Sequence, residues 1–272
     1  MGQMSDCWLD LAGKVGVVTG GGGGIGRAIA QSLAQQGCQI AVVDIDLPRA
    51  EETASLIQDE KGLATAYCAD VTDPESVATV AQNVATELGN CDILVNNAAL
   101  LRYGPLAQLS VADWTAVLTV NLTGYFICSQ IFAVQMMEQG GGSLVHVSSI
   151  AGTHVQPTSG AYSVSKAGIA MLSKNLAQEL GPHGIRSNLV SPAMVVTPLS
   201  EVIYQDAAVR EKREGIVPLR RIGLPEDIAN AVVFLASSRS SYISGQEILC
   251  DGGWGTTLLQ SVPRPGFDEP KI

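Results

Sequence analysis

The sequence predicts an α/β domain, a doubly wound parallel sheet with helices on both faces (Rossmann-like), and three observations carry that expectation. Short β-branched runs alternate with longer amphipathic stretches along most of the chain. The short runs are continuously apolar rather than alternating, as strands covered on both faces must be. A run of glycines stands where the first strand would turn into the first helix, the place at which this architecture holds a dinucleotide.

Lys14–Thr19 reads as a first strand, Gly26–Gln36 as a helix and Gln39–Val43 as a second strand. Helices follow over Leu47–Lys61, Asp73–Leu88, Val111–Gln139 and Ser159–Leu180, and strands over Leu63–Cys68, Ile93–Asn96, Ser143–Ser148 and Arg186–Val190. A helix at Glu226–Ser237 and a strand at Glu247–Cys250 complete the series, and right-handed crossovers join them into one sheet. No repeat or linker interrupts it. Residues 11–254 therefore read as one domain, preceded by an extension (1–10) and followed by a proline-containing tail (255–272). Residues 191–225, with Pro192, Pro198 and Pro218, read as a partly helical lid over the carboxyl edge of the sheet.

Composition narrows the function. Of 272 residues, 46% are hydrophobic and 15% charged, enough for a substantial core, and the 29 glycines follow no collagen period. A net charge of -10 opposes binding to nucleic acid or an anionic membrane, since both repel it. Six scattered cysteines (Cys7, Cys38, Cys68, Cys91, Cys128, Cys250) form no CxxC pair, and with no leader or long uncharged apolar run in view a cytoplasmic protein is expected. The three histidines show no metal-ligand spacing, so no metal is expected.

The glycine loop runs Thr19-Gly20-Gly21-Gly22-Gly23-Gly24-Ile25-Gly26. Glycine lets the backbone approach a pyrophosphate, and a helix amino terminus offers it unpaired N–H groups. Asp44 ends the second strand 18 residues after Gly26, placed to accept from both hydroxyls of an adenosine ribose. It would repel a 2′-phosphate, and neither Gly23 nor Ile45 supplies a compensating charge, so NAD is the expected cofactor; Arg27 weakens that exclusion slightly. Asp70, beside Val71 after the third strand, either accepts from the adenine amino group or closes a turn with Thr72 and Asp73.

Tyr162 and Lys166 are four apart on one helix, and Ser149 ends the preceding strand. Tyrosine is a proton donor or acceptor for a carbonyl or alcohol oxygen, but its ordinary pKa of about 10 is poorly matched to neutral pH. A neighbouring ammonium favours phenolate, and a serine hydroxyl can hold the reacting oxygen.

Those residues give the chain a specific resemblance. From roughly 11 to 254 it resembles the classical short-chain dehydrogenase/reductase family, in the glycine loop from Thr19 to Gly26, in Asn96-Asn97-Ala98-Ala99 after the fourth strand, and in Asn121, Ser149, Tyr162 and Lys166. The resemblance implies that Tyr162 is the acid/base, that Ser149 positions and polarises substrate, and that Lys166 also holds the nicotinamide ribose. It implies that Asn121 anchors a water in a proton relay, although inside a long helix Asn121 alone reads as a kink or a satisfied polar group. It brings Gly20, Gly24, Ile25, Gly26, Asp44, Asp70, Val71, Asn97 and the carboxamide-contacting Thr197 to the cofactor. It also implies a homotetramer, for which Val117, Leu118, Ile131, Phe132 and Val134, with small Ser163, Ala167 and Ala170, would supply the surface. The chain departs from the family's pattern at Ala99 and at Pro192-Ala193, where glycine is usual.

Leu100, Leu101, Ile150, Val155, Met194, Leu199, Ile203 and Tyr204 form a candidate pocket wall with Arg102, Tyr103 and His154 at its rim. His154 is either a pocket residue or structural. With Ser149, Met194 and Tyr204 these residues point to an uncharged, moderately hydrophobic or cyclic secondary alcohol and its ketone as substrate. A 3-oxoacyl-carrier reductase, to which Arg210, Lys212 and Arg213 would offer a docking patch, a polyol dehydrogenase, and a non-catalytic dinucleotide sensor are the alternatives.

Overall fold

The computed structural model describes residues 8–198 and 200–262. Seven parallel strands lie in the order β3-β2-β1-β4-β5-β6-β7: β1 Val15–Thr19, β2 Gln39–Asp44, β3 Leu63–Cys68, β4 Ile93–Asn96, β5 Gly142–Val147, β6 Ile185–Pro192 and β7 Glu247–Cys250. All five residues of β1 and all four of β4 are buried, which is why these runs do not alternate. The chain winds outward from β1 to β3, then crosses back to β4 on the other side of β1. The loops leaving β1 and β4 consequently diverge and leave a crevice between them, the place where open α/β sheets bind ligands.

One face is covered by α1 (Gly24–Gln35), α2 (Leu47–Asp59) and α9 (Pro225–Ala236), which bury Ile29, Leu33, Ile57 and Val232 against the sheet. The other carries α3 (Pro74–Glu87), α4 (Val111–Leu118), α5 (Gly124–Glu138) and α6 (Tyr162–Leu180), with Val80, Phe132, Met136 and Ile169 inside. Helix starts follow local chemistry: the Ser110 hydroxyl accepts from the Asp113 N–H at 3.0 Å and Asp73 from the Glu75 N–H at 3.0 Å. The expected lid contains α7 (Glu201–Tyr204) and α8 (Ala207–Ile216), and its two ends are tied by the Gly223 N–H to Met194 carbonyl and Val196 N–H to Gly223 carbonyl bonds.

Three sequence expectations need adjustment. The helix expected over Val111–Gln139 is split by a π turn at Thr119–Thr123 centred on Asn121. Val111–Glu138 is long and apolar enough to cross a membrane by length and composition, yet half of its most apolar window is buried inside the domain. Val117 and Phe132, expected at a subunit surface, are core; the outward apolar side chains of α5 and α6 are Phe126, Val134, Val164 and Met171. Leu199 and the tail from Pro263 lie outside the described residues.

Candidate active site

The glycine loop is shaped by its neighbours. Gly20 and Gly24 have φ of 62° and 53°, backbone that L side chains rarely adopt. A Cβ on Gly26 would overlap the Gly20 carbonyl oxygen and lie 2.5 Å from Asn97 Nδ2. Asn97, leaving β4, donates from Nδ2 to the Thr19 and Gly20 carbonyls at 3.1 and 3.0 Å, so the β4 loop fixes the β1 loop across the crevice. On the far side, Thr197 Cβ would stand 3.7 Å from a Cβ on Gly24, which brings the lid's first residues to the same loop. This cradle, closed to side chains and ending on the amino terminus of α1, fits a pyrophosphate.

Asp44 ends β2 beside the glycine loop, where its Oδ2 accepts from the Gly22 N–H at 3.0 Å and Oδ1 from the Asp46 N–H at 3.1 Å. Arg27 does not reach toward the ribose side as a free charge. Its guanidinium is bound to Glu52 at 2.6 Å, to Thr53 at 3.0 Å and to the Gly22 carbonyl at 2.9 Å. Sequence reasoning missed Arg49 instead. Its Nη2 would touch a Cβ on Gly23 at 2.5 Å and its Cβ packs over Gly22 beside Asp44, while it forms no salt bridge with any described residue. The available signal is Pro48 in the first turn of α2, the helix that carries Arg49 back over the loop. Asp70 Oδ1 accepts from the Thr72 N–H and hydroxyl at 2.8 and 2.7 Å, the turn-closing arrangement, and Val71 packs on Gly124.

Ser149, Tyr162, Lys166 and Asn121 come from the loop after β5, the start of α6 and the π turn, and converge. Ser149 is extended and its hydroxyl accepts from the Ala151 N–H at 3.1 Å. Burial raises the pKa of the Tyr162 phenol, while the neighbouring Ser149 hydroxyl acts in the opposite direction. Lys166 Nζ stands 5.5 Å from the Tyr162 ring centroid and donates to the Val147 carbonyl at 2.9 Å; burial lowers its pKa to about 7. Asn121 accepts from the Leu100 N–H at 2.7 Å and donates to the Leu100 carbonyl at 3.0 Å and to Ser165 Oγ at 3.1 Å. Ser165 Oγ in turn donates to the Tyr162 carbonyl at 2.7 Å, so the π turn holds both the loop after β4 and the first turn of α6.

The expected pocket wall assembles only in part. Tyr204 is buried under Arg213, whose guanidinium carbon is 5.5 Å from its ring centroid, and so belongs to the lid's own packing. Met194 is half-buried at the lid's base, where its carbonyl takes the Gly223 N–H. Val155 is 93% exposed, and Arg102, Tyr103 and His154 are also exposed, giving the rim a polar character. His154 Nδ1 lies 2.9 Å from Thr153 Oγ1, and its ring approaches Gly255.

The chain matches the family model described as Enoyl-(Acyl carrier protein) reductase over residues 20–255. It is 39% identical over 244 residues to the D-threitol dehydrogenase of Mycolicibacterium smegmatis, which spans 90% of this chain and 94% of that one. It is also 39% identical over 248 residues to the 3-oxoacyl-(acyl-carrier-protein) reductase of Thermotoga maritima, spanning 90% and 99%. Among solved structures, a gluconate 5-dehydrogenase from Burkholderia cenocepacia J2315, in complex with NADP and tartrate, superposes with a TM-score of 0.85 at 31% identity, over 90% of this chain and 96% of that one.

Proposed function

Because the chain belongs to the short-chain dehydrogenase/reductase family and is an oxidoreductase acting on an alcohol or ketone with NAD or NADP, we propose that it oxidises a secondary hydroxyl of a polar, polyol-like alcohol, with Tyr162 as the base. The convergence of Ser149, Tyr162 and Lys166 carries the reaction. The bound nicotinamide would supply the hydride acceptor. Ser149 orients the hydroxyl oxygen, Tyr162 withdraws its proton, and the Lys166 ammonium stabilises the phenolate that makes this withdrawal favourable. The loops after β1 and β4 would hold the dinucleotide through Gly20, Gly24, Ile25, Gly26 and Asn97, with Tyr162, Lys166 and Thr197 at its nicotinamide end and Asp44, Asp70 and Val71 toward its adenosine end.

A polar substrate replaces the hydrophobic alcohol expected from sequence for two reasons. The apolar residues expected to enclose it are partly committed elsewhere, Tyr204 to Arg213 above all, and the exposed rim offers Arg102, Tyr103 and His154 as hydrogen-bond partners. The relation to the D-threitol dehydrogenase supports the same reading. The relation to the 3-oxoacyl-carrier reductase makes a carrier-linked substrate the second reading. Its docking patch is largely committed, however: Arg210 pairs with Glu214 at 2.9 Å and Arg213 stacks on Tyr204, leaving Lys212. We assign NAD as the preferred cofactor, from the Asp44 carboxylate at the ribose, with Arg49 allowing some use of NADP.

Steady-state assays with NAD and NADP on polyols, cyclic and open-chain secondary alcohols, and a carrier-linked 3-hydroxyacyl substrate test these assignments together. The expected result is the highest kcat/KM with a polyol and NAD. Preference for the carrier-linked substrate or for a hydrophobic alcohol removes the substrate assignment, and equal or greater efficiency with NADP removes that of Asp44.

We further propose a cytoplasmic homotetramer. Among the described residues, Cys68, Cys91, Cys128 and Cys250 are free thiols, which suits a reducing compartment. Phe126, Val134, Val164 and Met171 offer α5 and α6 a self-complementary apolar surface. Light scattering at micromolar concentration is expected to give four chains; a fully active monomer would overturn the assembly.

A further inference from the structure

Behind Tyr162 lies a wholly buried aromatic layer, whose role rests on the reading above that Lys166 works with Tyr162. Lys166 is 1% exposed, so its ammonium has given up its water, and a buried amine stays charged only where other groups replace that water. The Val147 carbonyl supplies one hydrogen bond, at 2.9 Å. The rings of Tyr162 and Tyr125 supply two aromatic faces, with centroids 5.5 and 5.3 Å from Nζ.

Tyr125 belongs to α5, one turn beyond Asn121, and is itself 1% exposed beside Ile169 and Leu189. Its hydroxyl donates at 3.0 Å to the Val147 carbonyl, the same oxygen that accepts from Lys166. That shared acceptor pins the ring and the amine to one point of β5. His146 also stacks on Tyr125, with ring centroids 6.0 Å apart and planes inclined by 24°. Nothing about an apolar cluster requires a tyrosine there, whereas a ring with its hydroxyl on the lysine's own acceptor is an arrangement directed at the lysine.

We infer that Tyr125 is a positioning residue for the proposed reaction, whose ring face steadies the Lys166 ammonium and whose hydroxyl holds ring and amine in register on the Val147 carbonyl. The titratable groups around this pair are Tyr162 on α6, Tyr125 and Cys128 on α5 and His146 on β5. Burial keeps the Tyr125 and Cys128 side chains protonated, and keeps His146 neutral with a pKa of about 3, so none of these three adds a competing charge. The sign follows directly. An ammonium that loses a stabilising ring face gives up its proton at lower pH.

The test places phenylalanine and a ring-trifluorinated phenylalanine at position 125. Fluorination withdraws the negative ring face with little change in volume, so both proteins keep the same packing. Lysine-labelled NMR titration of the protein without cofactor follows Lys166, assigned by its absence in Lys166→Met. The fluorinated protein is expected to titrate about half to one pH unit below Tyr125→Phe, in line with a desolvated cation–π contact. Its kcat should fall several-fold with a smaller change in KM, and the alkaline limb of its pH profile should move down by the same interval. Identical Lys166 midpoints in the two proteins would overturn the inference, because a packing role does not depend on ring charge. Full turnover in Lys166→Met would instead overturn the reading on which it rests; loss of turnover there, with identical midpoints, removes Tyr125 alone.

Discussion

Tyr162→Phe is expected to lower kcat by about 10²–10⁴-fold, the usual worth of a positioned acid/base, while cofactor affinity changes little. The substitution deletes one hydroxyl and keeps the ring that lies 5.5 Å from Lys166 Nζ, so the fold and the ring's contact with the lysine survive. What disappears is the hydroxyl proposed to accept the proton, beside Ser149. Burial that raises the phenol is a handicap for a base, and the ammonium of Lys166 is the group able to offset it; neither compensates for a missing hydroxyl. Equilibrium titration with the dinucleotide separates binding from turnover. A kcat near that of the parent protein would show that another group moves the proton.

Gly26→Ala is expected to reduce kcat/KM by about a hundredfold, the scale of a misplacement of an ångström or so in a binding cradle. Alanine in a helix is ordinarily favoured over glycine by about 0.5–1 kcal/mol. Here that gain is outweighed. The new methyl would overlap the Gly20 carbonyl oxygen and crowd Asn97 Nδ2 at 2.5 Å; the first is backbone and the second is held by its bonds to the Thr19 and Gly20 carbonyls. Either α1 slides away from β1 or the Gly20 peptide turns, and each breaks the Asn97 bonds that hold the two loops together. Weakened dinucleotide binding in a titration and a lowered Tm are the accompanying signs. Unchanged affinity would mean that the loop's shape is not what receives the pyrophosphate.

The sheet was legible because its central strands are buried on both faces and therefore carry no alternation that could be confused with an edge hairpin. Gln39–Val43 and Ile93–Asn96 show this well, the first agreeing with β2 to within a residue and the second coinciding with β4. Tyr162 and Lys166 were legible for a similar reason, since a separation of four on one helix fixes their shared face before any packing is known. The π turn at Asn121 was not, because an unbroken apolar run reads as one helix and the extra residue shows only in backbone hydrogen bonding. Arg49 escaped because it reaches the glycine loop through the return of α2 rather than through neighbourhood in sequence. Tyr204 misled because an aromatic residue in a lid has two places to go, and the choice was made by Arg213 nine residues later.

The division between a deeply buried Lys166 and an exposed rim has an evolutionary consequence. Changes at Arg102, Tyr103, His154 or Val155 touch side chains that water already surrounds, and such changes usually alter stability by no more than about 0.5 kcal/mol. Changes among Tyr125, Ile169 and Leu189 strike close-packed core, where large-to-small replacements cost about 2–5 kcal/mol. A lineage built this way can wander among substrates by drift in its loops while the buried surroundings of Lys166 stay anchored by their own packing. Two proteins equally similar to this one, a D-threitol dehydrogenase and a 3-oxoacyl-carrier reductase, are the kind of divergence such an arrangement tolerates.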